Sequence, residues 1–262
     1  MFRSSWRLIL PFSFLLAAAV PTVHGQDKDK EKPPVRVILV TGSGHDYPKF
    51  TIAMDKLFDQ VGGLKIVQRL EPAKGAGEAH IRKLADIKNA DGDVLLFFTV
   101  GYKLEPLEER ALETFVDNGG GLVALHCASA SFGSSQTWWR LIGAKFTGHY
   151  KGLHKLDIKI TDSKHPIMNG VEPFTIIDEE YNHNFAKVER KVLAEFKERP
   201  EGSKGKNNDV VWTRDVGKGR VVYSALGHGA DAWANPAWQK MVVQSIFWSA
   251  GQPRAVTIPE KK

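Results

Sequence analysis

The sequence predicts an α/β fold built on an open, mostly parallel β-sheet. Short apolar runs occur at 35–40, 93–98 and 122–125, as expected of strands that are buried on both faces of a parallel sheet. Segments with helical spacing of apolar residues separate these runs. A helix that connects two strands lets them lie parallel in one sheet, and such crossover connections are right-handed. With 262 residues, 42% of them hydrophobic, the chain can bury a sizeable core.

The first half of the folded chain alternates between strands and helices. In the first helix Phe50, Met54 and Leu57 recur at helical spacing, and the pair Gly62-Gly63 ends the segment. The predicted elements are, in order, a strand at 35–40, a helix at 50–61, a strand at 64–70, a helix at 78–87, a strand at 93–98, a helix at 104–118, a strand at 122–125 and a helix at 136–142.

The second half of the chain changes to short strands followed by one helix. The predicted strands lie at 156–160, 174–178, 191–196, 209–214 and 220–226. Asn235 at the N-cap and Pro236 at the first helical position begin the closing helix, which ends before Gly251. Because no repeat and no long linker interrupts the chain, we predict one domain over 35–251, followed by a loose tail at 252–262.

Residues 1–25 predict a secretory signal peptide. Two arginines precede an apolar segment at 8–20, and small residues precede a cleavage site after position 25. The apolar segment is too short to span a bilayer comfortably. We therefore expect a secreted or periplasmic protein with no membrane partner after cleavage, and a charged, disordered tail at 26–34.

Charge and cysteine content limit the remaining classes of function. Removing the two signal arginines lowers the formal net charge from +6 to +4, and the folded part has no block of lysine and arginine. A nucleic-acid partner therefore has no support. Cys127 is the single cysteine, so no internal disulfide can form. The oligomeric state stays open, although exposed sheet edges of this kind can meet in a homodimer.

Histidines follow three of the predicted strands. His45, His126 and His228 each come shortly after the point where a strand ends. In an open parallel sheet, ligands bind outside the carboxyl ends of the strands, where such loops converge. The same loops and the segments FTGHYKGLH and DEEYNH supply further candidates: Asp46, Tyr47, Tyr102, Trp233, His149, Asp178, Glu180 and Tyr181. We therefore expect a functional site at this edge.

Each of these candidates has a structural alternative. A histidine after a strand can cap a turn or lie satisfied in the core, and the segment DEEY can be a solvated charged loop. His165 is expected to be structural, whereas His80 and His183 are expected to face solvent. Trp233, in the loop beside His228, is the tryptophan best suited to stack on a sugar ring.

Cys127 is a candidate nucleophile by residue type. A nucleophile at a sharp strand-to-helix turn needs small residues two positions before and two positions after it. Leu125 and Ser129 occupy these positions, and the bulky leucine argues against such a turn. The favoured interpretation is a buried, inert cysteine, with a reactive thiol as the alternative.

Several segments together resemble the ThuA-like family, which is named for trehalose utilisation. They are VTGSGHDY, GGGLVALHCASASF, GAKFTGHY, HPIMNGVEPFTIIDEEY and VVWTRDVGKGRVVYSALGHG, spread between Val35 and Gly251. The resemblance implies a flavodoxin-like sheet with helices on both faces, of the class I glutamine amidotransferase-like type. The amidotransferase triad is not retained, because Leu125 and Ser129 replace two glycines and Ala230 replaces the glutamate after the last histidine. Ammonia transfer from glutamine is therefore not expected.

The resemblance implies an association with sugars, particularly the cleavage of disaccharides through keto-sugar intermediates. The first hypothesis is an exported enzyme that acts on a carbohydrate, with His45, His126, His228 and Glu180 as catalytic residues. The residues expected to bind the substrate are Asp46, Tyr47, Tyr102, Cys127, His149, Asp178, Tyr181 and Trp233. Acid–base catalysis and a bound divalent metal, such as zinc or manganese, both fit these residue types. A non-catalytic sugar-binding accessory module and a cysteine hydrolase are the alternatives.

Overall fold

The computed structural model describes Met1 and residues 32–259. Nearly all of the predicted signal peptide at 1–25 and most of the predicted tail at 26–34 lie outside the described residues. From Pro33 onward the chain forms one compact unit. Within the described part, no helix combines the length and the apolar character needed to cross a membrane.

Eleven strands form two sheets in the described part of the chain. They are β1 (Val35–Gly42), β2 (Leu64–Leu70), β3 (Val94–Thr99), β4 (Gly121–Leu125), β5 (Ala144–His149), β6 (His154–Ile160), β7 (Phe174–Asp178), β8 (Tyr181–Phe185), β9 (Lys191–Phe196), β10 (Asp209–Val216) and β11 (Gly219–Ser224). Nine strands form one sheet in the order β2-β1-β3-β4-β11-β10-β9-β6-β7, and β5 pairs with β8. The first five strands in this order are parallel, and the last four continue the sheet in antiparallel fashion.

Six α-helices accompany the sheets in the same part of the chain. They are α1 (Tyr47–Val61), α2 (Ala79–Arg82), α3 (Pro106–Asp117), α4 (Gln136–Ile142), α5 (Ala230–Trp233) and α6 (Pro236–Ser249). Short 3-10 turns lie at Lys83–Asp86, His126–Ala130 and Pro166–Met168. As predicted, Asn235 caps α6, because its side chain accepts hydrogen bonds from the N–H groups of Ala237 and Trp238. This cap fixes where the closing helix begins.

The strands β3 and β4, in the centre of the parallel half of the sheet, have no polar face. Every residue of β3 and β4 is buried. Aromatic side chains fill the space between strands and helices: the ring of Phe98 stacks on Phe50 of α1 at 4.0 Å, and Phe97 packs against Trp138 of α4 at 4.7 Å. The strands therefore form a fixed support for the loops at their ends.

The predicted α/β fold with a mostly parallel central sheet is confirmed. Two strands, β5 and β8, were missed, because their sequences are rich in polar residues and glycine. The helix predicted at 78–87 is only the single turn of α2 followed by a 3-10 turn. In that segment the buried apolar residues Ile81, Leu84 and Ile87 lie three positions apart, a spacing that matches the three residues per turn of a 3-10 helix.

The part of the predicted loose tail that the structure describes, residues 252–259, is instead anchored by Arg254 and Val256. Arg254 donates to the carbonyl oxygen of Gly62 at 2.7 Å and lies over the ring of Phe247. Val256 is buried, and its N–H donates to the side chain of Gln244 at 3.1 Å. The sequence prediction failed here because isolated docking residues produce no periodic pattern.

The antiparallel half of the sheet curls back toward the parallel half. In a flat sheet β7 would lie about 19 Å from β11, four strand spacings away. Yet Asp178 at the end of β7 accepts a hydrogen bond from the N–H of Gly227, just after β11, at 2.7 Å. The alternating strand directions give β7 the same direction as β11, so both strands end at the same edge.

Candidate active site

Three histidines meet at the carboxyl ends of the parallel strands. His45 lies between β1 and α1, His126 directly follows β4, and His228 follows β11. Their ring centroids lie between 4.6 and 5.5 Å apart. The structure thus brings together the three histidines that the sequence places after strands, because parallel strands end at the same edge of the sheet.

The carboxylate that completes this group belongs to Glu179. Its Oε2 lies 3.3 Å from Nε2 of His126 and 3.0 Å from Nδ1 of His228. One nitrogen or oxygen atom from each of the four side chains lies within 4.8 Å of all the others. The four residues His45, His126, Glu179 and His228 are called the histidine cluster below.

The prediction that Glu180 supplies the catalytic carboxylate is corrected by its position. Glu180 is fully buried, forms an ion pair with Arg199 and accepts a hydrogen bond from Ser203 at 2.8 Å. Successive side chains of an extended chain point to opposite sides, so Glu179 and Glu180 face different surroundings. The sequence alone does not show which of the two glutamates turns toward the histidines.

His126 is held in an unusual conformation by hydrogen bonds. Its φ is 44°, in the left-handed region that is strained for a residue with a Cβ. The hydroxyl of Tyr223 donates to the carbonyl oxygen of His126 at 2.8 Å, and the ring of Tyr181 stacks on the imidazole at 4.0 Å. Nδ1 lies 2.7 Å from the carbonyl oxygen of Ala225 and must carry a proton, because a carbonyl only accepts. In the neutral ring, Nε2 is therefore the unprotonated nitrogen.

Asp178 positions the loop that carries His228. Its carboxylate accepts hydrogen bonds from the N–H groups of Gly227 at 2.7 Å and His228 at 3.2 Å. The φ of Gly227 is 132°, a conformation that other residues rarely adopt, so this turn requires glycine. Burial raises the pKa of the Asp178 carboxyl, against the effect of its donors. Asp178 was predicted to bind substrate, but it is fully buried and supports the site instead.

The members of the histidine cluster differ in their preference for a proton. Burial, followed by the nearby rings of His126 and His228, lowers the pKa of His45 to about 4. The Glu179 carboxylate raises the pKa of His228 by more than burial lowers it. Burial opposes ionisation of Glu179, yet the two neighbouring imidazoles outweigh it and hold the pKa of this carboxyl well below its usual range. The cluster thus combines a neutral imidazole, a carboxylate and a histidine that favours the charged form.

His149 stands at the solvent side of the cluster. Its Nε2 lies 3.7 Å from Oε1 of Glu179, and a third of its side chain is exposed. Nδ1 lies 3.0 Å from the carbonyl oxygen of Tyr150, so Nε2 is the unprotonated nitrogen of the neutral ring. Glu180 accepts a hydrogen bond from the N–H of Tyr150 at 3.3 Å. Glu180 therefore positions the segment that carries His149.

Besides Asp178, three residues predicted to bind substrate are buried and do not offer a contact surface. Tyr181 is 3% exposed and packs on His126. Trp233 is 5% exposed and donates to the carbonyl oxygen of Gly227 at 2.7 Å, so the prediction of a sugar platform there is wrong. Cys127 is fully buried, and burial raises the pKa of its thiol well above the usual value. An inert core cysteine fits this position.

The remaining predicted binding residues lie in the loops after β1 and β3. Asp46 is exposed and caps α1 by accepting a hydrogen bond from the N–H of Lys49. Tyr47 begins α1 and is half-buried. Tyr102 is also half-buried and packs edge-on against His80 at 4.9 Å. Binding roles for Asp46, Tyr47 and Tyr102 stay predictions.

Two histidines predicted to face solvent are buried instead. His80 is 5% exposed and His183 is 7% exposed. His183 was misjudged because β8 was missed, and in that strand alternate residues point inward. Its Nε2 lies 3.0 Å from the hydroxyl of Tyr223, the residue that also holds His126. His165 has the predicted structural role, since its side chain accepts a hydrogen bond from the N–H of Ile167.

Comparison with known proteins finds a family and a set of solved structures. A family model described as ThuA, trehalose utilisation, matches residues 41–249. A ThuA-like protein from Parabacteroides merdae ATCC 43184 is 17% identical, with a TM-score of 0.71 over 87% of this chain and 93% of that one. A ThuA-like protein from Bacteroides uniformis ATCC 8492 is also 17% identical, with a TM-score of 0.62 over 85% of this chain and 95% of that one.

Part of a glycosidase also shares the fold. A β-galactosidase from Bacillus circulans sp. alkalophilus is 13% identical, with a TM-score of 0.53 over 84% of this chain but only 31% of the galactosidase. At this level of identity the likeness shows the fold alone. A search of curated protein sequences found no match.

Proposed function

The chain belongs to the ThuA family, described as trehalose utilisation, and from this premise we propose that it is an enzyme that acts on a carbohydrate at the histidine cluster. The observation that carries the proposal is the convergence of three imidazoles and one carboxylate within 4.8 Å at the strand ends. Within the cluster, Nε2 of His126 and Nδ1 of His228 both face the carboxylate of Glu179, at 3.3 and 3.0 Å.

The proposed substrate is a glycoside whose sugar ring carries a carbonyl group, as the resemblance to the family implies. Positive charge at His228 stabilises the negative charge that develops on the carbonyl oxygen. This stabilisation makes the C–H bond beside the carbonyl more acidic. A base removes that proton, the C–O bond to the leaving sugar breaks at the next carbon, and the leaving oxygen takes up a proton.

His149 is the residue best placed to move this proton. It is next to the cluster, its free Nε2 faces Glu179 at 3.7 Å, and a third of the side chain is open to solvent. Histidine is the usual residue for such transfers, which typically contribute about 10²–10⁴-fold to a rate. His45 and His126 have less access to a substrate, because His45 is half-buried and His126 is fully buried.

The cysteine-hydrolase alternative does not fit the structure. A nucleophilic cysteine needs a thiolate that a substrate can reach. Cys127 has no exposed surface, and burial disfavours its thiolate by raising the pKa. The chain also lacks the glutamate that would follow His228 in an amidotransferase triad, since Ala230 stands at that position.

Turnover of a keto derivative of trehalose tests the proposed function. The wild type is expected to cleave this compound, with products followed by NMR, and His149→Ala should lower kcat by about 10²–10⁴-fold. His154→Ala is the matched control, since His154 lies five residues downstream in the same segment. Its side chain donates one hydrogen bond, to the carbonyl oxygen of Lys151 at 3.2 Å, and its ring contacts Tyr150 at 5.1 Å. This control should keep a rate close to that of the wild type.

Two results would contradict the proposal. Equal rates for His149→Ala and the wild type would show that His149 does not transfer the proton. Binding of trehalose and its keto derivative without any turnover by the wild type would instead indicate a non-catalytic sugar-binding accessory module. The exposed ring of Tyr150, stacked on His154 at 5.1 Å, is the surface that such a module would use.

Export is also part of the proposed function, and the support for it is the sequence of residues 1–25. The two arginines, the apolar segment at 8–20 and the small residues before position 26 form the pattern of a cleaved signal. Expression of the full chain in a bacterial host, followed by N-terminal sequencing of the periplasmic fraction and the medium, tests this. The expected first residue is Gln26, and an intact Met1 in the cytoplasm would contradict export.

A further inference from the structure

Two ring nitrogens and one carboxylate oxygen meet at the centre of the histidine cluster. Nε2 of His126 and Nδ1 of His228 lie 3.3 and 3.0 Å from Oε2 of Glu179. Both nitrogens are buried, and neither has a hydrogen bond with acceptable geometry. Three groups that can each direct a lone pair at the same point are suited to hold a cation between them.

The backbone fixes the orientation of the most buried imidazole for this purpose. His126 donates from Nδ1 to the carbonyl oxygen of Ala225 at 2.7 Å, which leaves the lone pair of Nε2 directed into the cluster. Histidines that bind metals commonly donate the other ring N–H to a carbonyl or a carboxylate in this manner, which fixes both tautomer and ring orientation. Tyr223 adds a second support through the main-chain carbonyl of His126.

We propose that the histidine cluster binds one zinc ion, with His45, His126, Glu179 and His228 as its ligands. The ligand atoms of a tetrahedral zinc site lie about 3.4 Å apart, given metal–ligand distances of about 2.1 Å. The four candidate ligand atoms lie within 4.8 Å of one another, a difference that small side-chain rotations can close. Imidazole nitrogens with one carboxylate oxygen suit zinc, whereas magnesium and calcium prefer oxygen ligands alone.

The proposed zinc site is open on one side. His126 is fully buried, but 31% of the His228 side chain and 33% of the His149 side chain are exposed. Zinc can expand its coordination from four to five ligands when a substrate oxygen approaches. A sugar oxygen can therefore reach the ion from the solvent side, next to His149.

The zinc site rests on the cluster named in the proposed function, but not on the proposed substrate, because metal binding can be measured without turnover. With zinc bound, the ion supplies the positive charge that a protonated His228 supplies without it. His149 is not among the four ligands, so its role in proton transfer is the same in both cases.

Metal analysis of the purified protein tests the inference. After incubation with zinc and removal of loosely held metal, the wild type and the control His154→Ala should each retain about one zinc per chain. Glu179→Gln and His228→Ala should bind zinc at least tenfold more weakly. Circular dichroism shows whether each variant is folded, and His45→Ala, at a half-buried position, provides a third variant if one of the others fails to fold.

Cobalt provides a second readout of the same site. Cobalt(II) bound to nitrogen and oxygen ligands in a tetrahedral site absorbs visible light far more strongly than cobalt in water. The wild type loaded with cobalt should show this absorption, and Glu179→Gln should not. Added zinc should abolish the absorption by displacing the cobalt.

Three results would overturn the zinc site. They are a wild type that retains almost no metal, variants that retain as much zinc as the wild type, and a wild type that retains manganese in preference to zinc. Failure of the proposed function looks different: stoichiometric zinc without turnover of any sugar would leave the metal site standing. Turnover that is unaffected by chelators, in a protein that retains no metal, would support the enzymatic function and contradict the zinc site.

Discussion

Glu179 and Glu180 are adjacent in the chain but have different partners. Glu179 faces His126 and His228, whereas Glu180 is enclosed with Arg199 and accepts a hydrogen bond from Ser203. Both carboxylates lie in the short link between β7 and β8. The first is placed where a ligand could use it, and the second holds surrounding segments together. A pair of substitutions can separate these roles.

Glu180→Gln should destabilise the fold more than Glu179→Gln does. Removing one partner of a buried ion pair leaves the other charge uncompensated, which typically costs about 3–5 kcal/mol. Arg199 would be left in that state, with only 11% of its side chain exposed. Glu179→Gln leaves no permanent cation without a partner, so its cost should be smaller, while its zinc affinity falls. Urea unfolding of both metal-free variants measures the difference, and equal losses of unfolding free energy would contradict these assignments.

Cys127 should be unreactive in the folded protein. Its thiol is fully buried, so a reagent cannot reach it, and burial raises its pKa, so the reactive thiolate is disfavoured. An aromatic disulfide reagent should therefore label no thiol in the native protein and about one per chain in guanidinium. Labelling of the native protein at the rate of a free thiol would show that the cysteine is accessible and would support the hypothesis that it is a nucleophile.

Strand β11 connects the core to the candidate site through Tyr223. The hydroxyl of this residue donates to the carbonyl oxygen of His126 and lies 2.7 Å from Oγ of Ser129 and 3.0 Å from Nε2 of His183. It thus links β11, the 3-10 turn after β4, and β8. Because His126 has a strained φ of 44°, this turn depends on outside support.

Tyr223→Phe should weaken the zinc site without unfolding the protein. Loss of a group that supports a metal ligand typically lowers metal affinity about 10–100-fold. The phenylalanine ring keeps the packing, so the cost in unfolding free energy should stay near 1–3 kcal/mol. Competition for zinc with a chromophoric chelator measures the affinity. Tyr150→Phe, at an exposed tyrosine, is the control, and equal affinities for the two variants would show that Tyr223 has only a structural role.

The elements predicted well are those that the sequence marks clearly at both ends. The boundaries of β2 and α4 agree with the prediction: leucines begin and end β2, and Ser135 and Gly143 cap α4. Strand β4, which is fully buried, begins one residue earlier than predicted. Strands β5 and β8 were missed because they pair mainly with each other and carry polar side chains such as Asn182 and Asn184. Their pairing is decided by tertiary contacts that no local pattern records.

At the scale of the whole molecule, the site depends on the curl of the large sheet. The three histidines could be placed together from the sequence, since they follow parallel strands. The sequence could not place Glu179 beside them, because β7, which precedes this residue, is four strands from β11 in the sheet order. Only the curled antiparallel half brings the end of β7 to Gly227, where Asp178 fastens it. Long-range geometry of this kind depends on twist and packing along the whole sheet.

Buried histidines outside the cluster make the stability of the whole molecule depend on pH. Burial is the main cause that lowers the pKa of His80, His165 and His183, in the last case from 6.5 to about 3. Below pH 6.5 the unfolded chain binds protons that the folded chain does not. Stability contributed by these neutral rings is therefore complete above pH 6.5 and is lost as the pH falls toward the folded pKa.

His183→Gln should make the metal-free protein less sensitive to acid between pH 6 and about 4. Each proton taken up only by the unfolded chain lowers the free energy of unfolding by about 1.4 kcal/mol per pH unit, and the variant lacks one such site. Urea unfolding at several pH values gives this slope.

Ser129→Ala is the control, because Ser129 contacts Tyr223 in the same buried group but does not titrate. Its slope should equal that of the wild type, even if its stability is lower at every pH. An unchanged slope in His183→Gln would mean that His183 is protonated in the folded protein, and its contact with the Tyr223 hydroxyl would then be that of a charged donor.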